Sequence, residues 1–208
     1  MILLDLKQGS PEWHRARLGI PTASQFARIL TPTGKPSSAA ERYLHELIAE
    51  RLLGEQVVDY ESDEMHRGTE LESQAVAWYE LQRDVDAQRA GFCLTDDRLC
   101  GCSPDRLIGE DGGLELKTPT ITVHVGYLLD SVGAKFTPQV QGCLWITGRQ
   151  WWDLVSFNPM LPSSVVRVER DEPYIERLAG AVKTFCACLD AQEQALLERY
   201  PEMRERVA

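Results

Sequence analysis

The sequence predicts an α/β fold in one domain spanning residues 1–208. Three observations lead there. The stretch GCSPDRLIGEDGGLELKTP, from Gly101 to Pro119, holds two apolar runs joined by Gly109, Glu110, Asp111, Gly112 and Gly113, the pattern of a β-hairpin closed by a glycine-rich connection. Segments with helix start and stop signals lie on both sides of it, and aromatic or β-branched runs beyond Gly148 read as buried strands. A hydrophobic content of 43% over 208 residues suffices for one sizeable core, and no internal repeat, low-complexity tract or compositional break divides it.

Taken in order, MILLDLKQGS reads as an early strand and not a signal peptide, because it lacks a basic flank and a small-residue cleavage site. No run approaches the length of a membrane span, so a cytoplasmic protein with no membrane partner is expected. Ser10 as N-cap and Pro11 at the first helical position start a short helix to Leu18, with Trp13 and Leu18 inward and Arg15 and Arg17 as candidate cations. After the break at Gly19-Ile20-Pro21, Thr22 and Gln25 have capping-box spacing ahead of Phe26, Ile29 and Leu30, which places Ser24 in the first turn of a new helix. Free N–H groups there suit an anion, with Ser24 as an extra donor and Arg17 as counter-charge; a plain capped helix fits the same residues.

A turn-rich loop at 31–37 leads to a scaffold helix from Ser38 to Leu53, capped by Ser38 with Glu41 and ended by Gly54. Between Glu64 and Gln82, Leu71, Ala75, Trp78 and Tyr79 or Leu81 recur at helical spacing. Glu72 lies beside that packed side, where a carboxylate needs a partner. A metal shared with Asp105 and Glu115 would serve, and so would a buried arginine or lysine. A polar linker at 83–90 precedes a strand, a tight turn at Asp96-Asp97 and the entry strand of the hairpin. A helix follows from Thr120 to Val132, and another starts at Thr137 as N-cap with Pro138 at its first position and runs to Gly148, with Gln139 and Gln141 in its first turns. Strands at 150–157 and 164–168 and a helix from Asp171 or Glu172 to about Tyr200 complete the chain.

With five residues in the hairpin loop, Ile108 pairs with Leu114, Leu107 with Glu115 and Asp105 with Lys117, and the two acids and the lysine share one face. A carboxylate pair can hold a hard divalent cation and a nearby ammonium can orient a water. A solvated hairpin face with one ion pair fits the same spacing. The six cysteines sit in apolar segments without C-x-x-C or zinc-finger spacing, which indicates buried thiols. The net charge of −10 argues against a general nucleic-acid-coating protein, which should be basic, and leaves room for an enzyme that grips a polyanion in a local groove.

Ser103-Pro104-Asp105 and Glu115-Leu116-Lys117, across a hairpin and behind a helix bearing Glu72, resemble the PD-(D/E)XK nuclease core. The blocks EWHRARLGIPTAS, RGTELESQA, CSPD, LELKTP and QVQGCLWITGR, in that order over about two thirds of the chain, resemble the phage lambda exonuclease, or YqaJ-type viral recombinase, family. The resemblance implies a central mixed β-sheet flanked by helices on both sides, and two Mg²⁺ ions per site, for which Mn²⁺ would substitute. It also implies 5′ to 3′ digestion of one strand of linear duplex DNA to mononucleotides, a homotrimeric ring and a single-strand annealing protein as partner. Carried over by position, Glu72, Asp105 and Glu115 ligate metal and Lys117 orients or activates water, while Arg17, Ser24, Ser103 and Gln141 hold a terminal 5′-phosphate. Met65 falls near the family's strand-separating wedge, where ordinary surface is the other reading. Another PD-(D/E)XK endonuclease, or a DNA-end-binding module that does not cut, are the competing readings.

Overall fold

The computed structural model describes residues 1–57 and 63–206, with side chains described for 1–57 and 71–203. In chain order the elements are β1 (Ile2–Leu4), α1 (Pro11–Arg17), a 3-10 helix at Ala23–Arg28, α2 (Ala40–Leu53), α3 (Asp63–Arg83), β2 (Ala87–Gln88), β3 (Phe92–Leu94), β4 (Gly101–Cys102), β5 (Arg106–Ile108) and β6 (Gly112–Lys117). Then come α4 (Ile121–Asp130), a 3-10 turn at Ala134–Phe136, α5 (Thr137–Thr147), β7 (Trp151–Ser156), β8 (Ser164–Glu169), α6 (Glu172–Arg199) and a closing 3-10 helix at Pro201–Arg206. No described helix is long and apolar enough to cross a membrane.

The expected mixed sheet is five-stranded in the order β2-β5-β6-β7-β8, with β6 and β7 parallel and the other pairs antiparallel. The parallel pair needs a long crossover, which α4 and α5 supply. A second, antiparallel sheet of three strands, β1-β3-β4, was not foreseen. The apolar run before the hairpin is therefore not one strand. Its first half pairs in the small sheet, and the chain crosses at Ser103-Pro104 into the large one. The polar linker at 83–90 also contains a strand, since β2 pairs with β5.

The hairpin register differs by two residues from the expected one. Ile108 faces Gly112, Leu107 faces Gly113 and Arg106 faces Leu114. Gly112 and Gly113 belong to the strand because the rings of Trp151 and Trp152 lie over them: a Cβ would meet the Trp151 ring at 2.1 Å and the Trp152 ring at 2.3 Å. Close approach of the neighbouring strand thus requires the glycines that looked like loop residues. A shift of two keeps every side chain on its expected face.

Alternation along β6 divides the sheet. Leu114 and Leu116 pack with Ile108, Val155 and the Ala75, Val76 and Tyr79 stripe of α3. On the other face, Leu107 and Trp152 join the core formed with α2, α5 and α6. Leu81 of α3 is exposed, so Tyr79 is the residue that completes the stripe. Ser10 accepts from the Trp13 N–H and Gly54 closes α2 in the left-handed region, both as the sequence indicates. Three expected caps do not form. Thr22 makes no capping bond and Ala23–Arg28 is a 3-10 helix, Ala39 stands at the N-cap of α2, and Phe136 at that of α5. The Thr22 hydroxyl lies 3.3 Å from that of Ser24, its N–H donates to the Tyr43 hydroxyl at 3.2 Å, and Thr22 bridges to Gly101, so tertiary partners displace the local cap. Gly142 lets α5 approach that 3-10 helix, since a Cβ would stand 2.6 Å from the Phe26 ring.

Five of the six cysteines are buried and all are free. Two buried polar groups pin elements to the sheet. Asp153 accepts from Arg167 at 2.8 and 2.9 Å and from the Tyr79 hydroxyl at 2.7 Å. His124 of α4, fully buried, has Nδ1 2.6 Å from the Ser156 hydroxyl and Nε2 3.0 Å from the Pro162 carbonyl. A carbonyl only accepts, so Nε2 carries the proton.

Candidate active site

The crossing between the two sheets puts Ser103, Pro104 and Asp105 at the mouth of the large one. Gln8 fixes this passage: its Nε2 donates to the Pro104 carbonyl at 2.7 Å and to that of Ala90 at 3.2 Å. Glu115 and Lys117 point to the α5 face of β6. The antiparallel register sets Asp105 beside them, and the Leu116 N–H donates to Asp105 Oδ2 at 2.6 Å. From α5, Gln139 Nε2 donates to Glu115 Oε1 at 2.7 Å, and Lys117 Nζ donates to the same oxygen at 2.7 Å. Two acids, one ammonium and one amide converge on the end of one strand.

Burial, and after it the neighbouring Glu115, hold the Asp105 carboxyl well above the usual carboxylate range, although Lys117 and the Leu116 N–H oppose them. Burial pulls the Lys117 ammonium down, but Glu115 and Asp105 outweigh it and leave the lysine above its ordinary value. Lys117 is thus a fixed positive charge and hydrogen-bond donor at neutral pH, and not a free base.

Next to these groups lies a cleft of about 400 Å³ whose walls include Trp13, Arg17, Ser24, Ser103, Lys117 and Gln139. Arg17 Nη1 and Trp13 Nε1 both donate to the Ser103 hydroxyl oxygen, at 2.8 and 3.1 Å, so that hydroxyl keeps its own proton for an acceptor in the cleft. The Arg17 guanidinium lies 3.9 Å from the Trp13 ring centroid. Burial lowers its pKa to about 10, which leaves it charged at neutral pH. Ser24 is exposed at the cleft wall. The cleft therefore offers a cation and hydroxyl donors to an anion, a few residues from the carboxylate pair.

Of the residues singled out in the sequence, Arg17, Ser24, Ser103, Glu115 and Lys117 line the cleft and Asp105 adjoins it. Gln141 does not reach it. It is buried, donating to the Glu169 carbonyl at 2.8 Å and accepting from the Asp171 N–H at 3.0 Å, because two positions along a helix turn a side chain through about 200°. Gln139 stands in the cleft in its place. Glu72 comes from α3 on the opposite face and pairs with the buried Arg106 at 2.8 Å, the arginine alternative foreseen for it. It is near enough to raise Asp105, as the smallest of the causes acting there. Met65 lies in the part of α3 whose side chains fall outside the described residues. Gln8, Trp13 and Phe136 were missed as lining residues. Trp13 was read as core, and the signal that it is not is its place one helical turn before Arg17.

Among the described residues no three histidine, cysteine or acidic side chains stand close enough to hold a metal ion together. Asp105 and Glu115 nevertheless suit one hard divalent cation. They are hard oxygen donors, side by side, and Asp105 is raised first by burial and then by the charge of Glu115, both of which a bound cation would offset.

A model of the YqaJ-like viral recombinase domain matches residues 12–150, the stretch holding Arg17, Ser103, Asp105, Glu115, Lys117 and Gln139. An alkaline exonuclease from Laribacter hongkongensis, LHK-Exo, superposes with a TM-score of 0.85 at 32% identity, covering 93% of this chain and 100% of that one. The structure of LHK-Exo in complex with dAMP gives 0.84 at the same identity and coverage. A phage-related exonuclease from Haemophilus somnus 129PT superposes at 0.70 with 14% identity over 86% of this chain and 96% of that one, a likeness of fold. No curated protein matches.

Proposed function

The chain belongs to the YqaJ-like viral recombinase domain family, and on that premise we propose that it is a Mg²⁺-dependent exonuclease, one domain over residues 1–208. It would digest one strand of linear duplex DNA from a 5′-phosphorylated end to mononucleotides, leaving a 3′ overhang for recombination by single-strand annealing. The observation that carries this reading is the junction of Asp105, Glu115 and Lys117 with a cleft in which Arg17 and Ser103 are hydrogen-bonded. A cutting centre beside an anion site is what an enzyme working from a charged end needs. LHK-Exo, crystallised with dAMP, binds a mononucleotide of the size proposed here as product.

Asp105 and Glu115 would hold the cation, and Glu72 would join them on leaving Arg106. Mg²⁺ held there, two ions as the resemblance implies, would supply an activated water and charge compensation at the phosphate. Lys117 keeps its positive charge beside the scissile phosphate and donates through Nζ to an oxygen there. Gln139 holds Glu115 in place from α5. Arg17, Ser24 and Ser103 receive the terminal phosphate, and their contacts carry no base information, so sequence preference is minimal. The protein would work as a homotrimeric ring in the cytoplasm beside an annealing protein, its −10 charge turned outward.

The test is digestion with Mg²⁺ of linear duplex bearing a 5′-phosphate or a 5′-hydroxyl, beside closed circular duplex. Release of mononucleotides from the phosphorylated ends is expected. Cutting of the circle would show an endonuclease, and binding of ends with no cutting would show a binding module.

A further inference from the structure

At the lip of the same cleft, Tyr127 of α4, Lys135 and Phe136 form a cluster to which the reaction above assigns no role. The Lys135 ammonium lies 4.7 Å from the Tyr127 ring centroid and 4.9 Å from that of Phe136, and the two rings meet edge to face at 6.4 Å. Lys135 is exposed and both rings are partly so. Phe136 lines the cleft, and its centroid is also 4.7 Å from Lys117 Nζ. The two ammonium groups therefore stand no further apart than those two distances to one ring, close enough to serve adjacent phosphates of one strand. The chain carries 32 acidic against 22 basic residues, yet among the described residues Lys135 has no carboxylate partner. An exposed lysine resting on two rings beside a phosphate cleft has the composition of a single-strand nucleotide site, in which an aromatic surface takes the base and a cation the phosphate.

We propose that Tyr127, Lys135 and Phe136 form a shelf for one unpaired nucleotide of a DNA strand, next to the nucleotide whose phosphate occupies the Arg17 cleft. The base displaces the Lys135 ammonium from the rings, and the freed ammonium moves to that nucleotide's phosphate. This rests on the nuclease reading, since the shelf serves a strand whose end is already held. It adds a place where duplex stacking is exchanged for stacking on protein before the cut.

The test uses the full chain in EDTA, so that nothing is cut, with a 5′-phosphorylated single strand carrying an aminopurine reporter base near its 5′ end. Lys135→Gln removes the charge, and Tyr127→Leu removes a ring while keeping apolar volume; Phe136 is left intact because it touches Lys117. Each variant should bind about tenfold more weakly than wild type, as expected for loss of one stacked base or its phosphate contact. The slope of log affinity against log salt should fall by about 0.7 in Lys135→Gln. Quenching of the reporter should diminish in Tyr127→Leu. Wild-type affinity, salt slope and quenching in both variants would overturn the shelf, and so would weaker binding with slope and quenching unchanged. If Tyr127→Leu fails to fold by circular dichroism, the salt slope of Lys135→Gln decides alone. Wild-type digestion of linear duplex with both variants behaving as wild type overturns the shelf only; a wild type that binds no DNA overturns the nuclease reading as well.

Discussion

Lys117 Nζ and Gln139 Nε2 donate to one and the same oxygen, Oε1 of Glu115, each at 2.7 Å. A carboxylate shared in this way keeps the lysine charged and aimed along the cleft. Lys117→Ala is therefore expected to slow hydrolysis by about 100- to 1,000-fold, the usual loss when a fixed donor to developing charge is removed. DNA affinity in EDTA should stay close to wild type. Single-turnover cleavage with a parallel binding titration checks this, and near-normal cleavage would take the lysine out of the mechanism.

Arg17 and Trp13 both anchor the Ser103 hydroxyl, so the cation and its neighbour form one anion site. Arg17→Ala should reduce the preference for a 5′-phosphate over a 5′-hydroxyl by about 10- to 100-fold, the range of one lost hydrogen bond to a charged group. Paired initial rates on the two ends measure it. An unchanged ratio would remove Arg17 from end recognition.

Asp105 titrates above its ordinary value, which fixes the sign of a pH effect. A raised carboxyl favours the folded state fully below the unfolded value of about 3.9, and that contribution is lost as pH climbs through the folded value. Metal competes with the same proton, so Mg²⁺ should raise the melting temperature more as pH increases from about 5 to about 8. The raised Lys117 loses its own contribution only at alkaline pH, above this window. Thermal shifts with and without Mg²⁺ across the range are the measurement, and a shift independent of pH contradicts the assignment of Asp105.

Two glutamines two residues apart should behave oppositely. Gln139→Ala is expected to impair cleavage with little loss of stability, since it frees one side of Glu115 at the cleft wall. Gln141→Ala leaves a backbone carbonyl and a backbone N–H without their side-chain partner at the start of α6 and should cost about 1–3 kcal/mol. Urea unfolding and steady-state rates for both variants separate the two roles. The reverse outcome would restore Gln141 to the site.

That pair also shows how far the sequence could be read. The nearness of Asp105, Glu115 and Lys117 was legible from strand alternation across a hairpin, whereas placing Arg17 and Ser103 beside them rested on the family resemblance of their blocks, since Ser103 lies 86 residues from Arg17. Choosing between Gln139 and Gln141 needed the rotation of α5 about its axis, which depends on Gly142 seating that helix against Phe26. Glu72 was legible as a carboxylate requiring a partner, but not which partner, because Arg106 reaches it from a strand far along the chain. Gly112 and Gly113 read as loop for a related reason: the indole rings that demand them belong to β7, across a crossover of more than thirty residues. His124 gave no signal at all, since its partners Ser156 and Pro162 are known only once α4 lies on the sheet.

The passage between the two sheets sets a length. Ser103, which lines the Arg17 cleft, and Asp105, which stands beside Glu115, are separated by a single proline whose carbonyl Gln8 holds. Their Cα atoms can be no more than about 7.6 Å apart, two trans peptide steps. In an enzyme that holds an end with one and cuts with the other, the distance from end to cut is limited by covalent bonds and held by the Gln8 hydrogen bond to Pro104. Small movements of helices or loops would then change how fast a strand is shortened without changing how much is removed at each step.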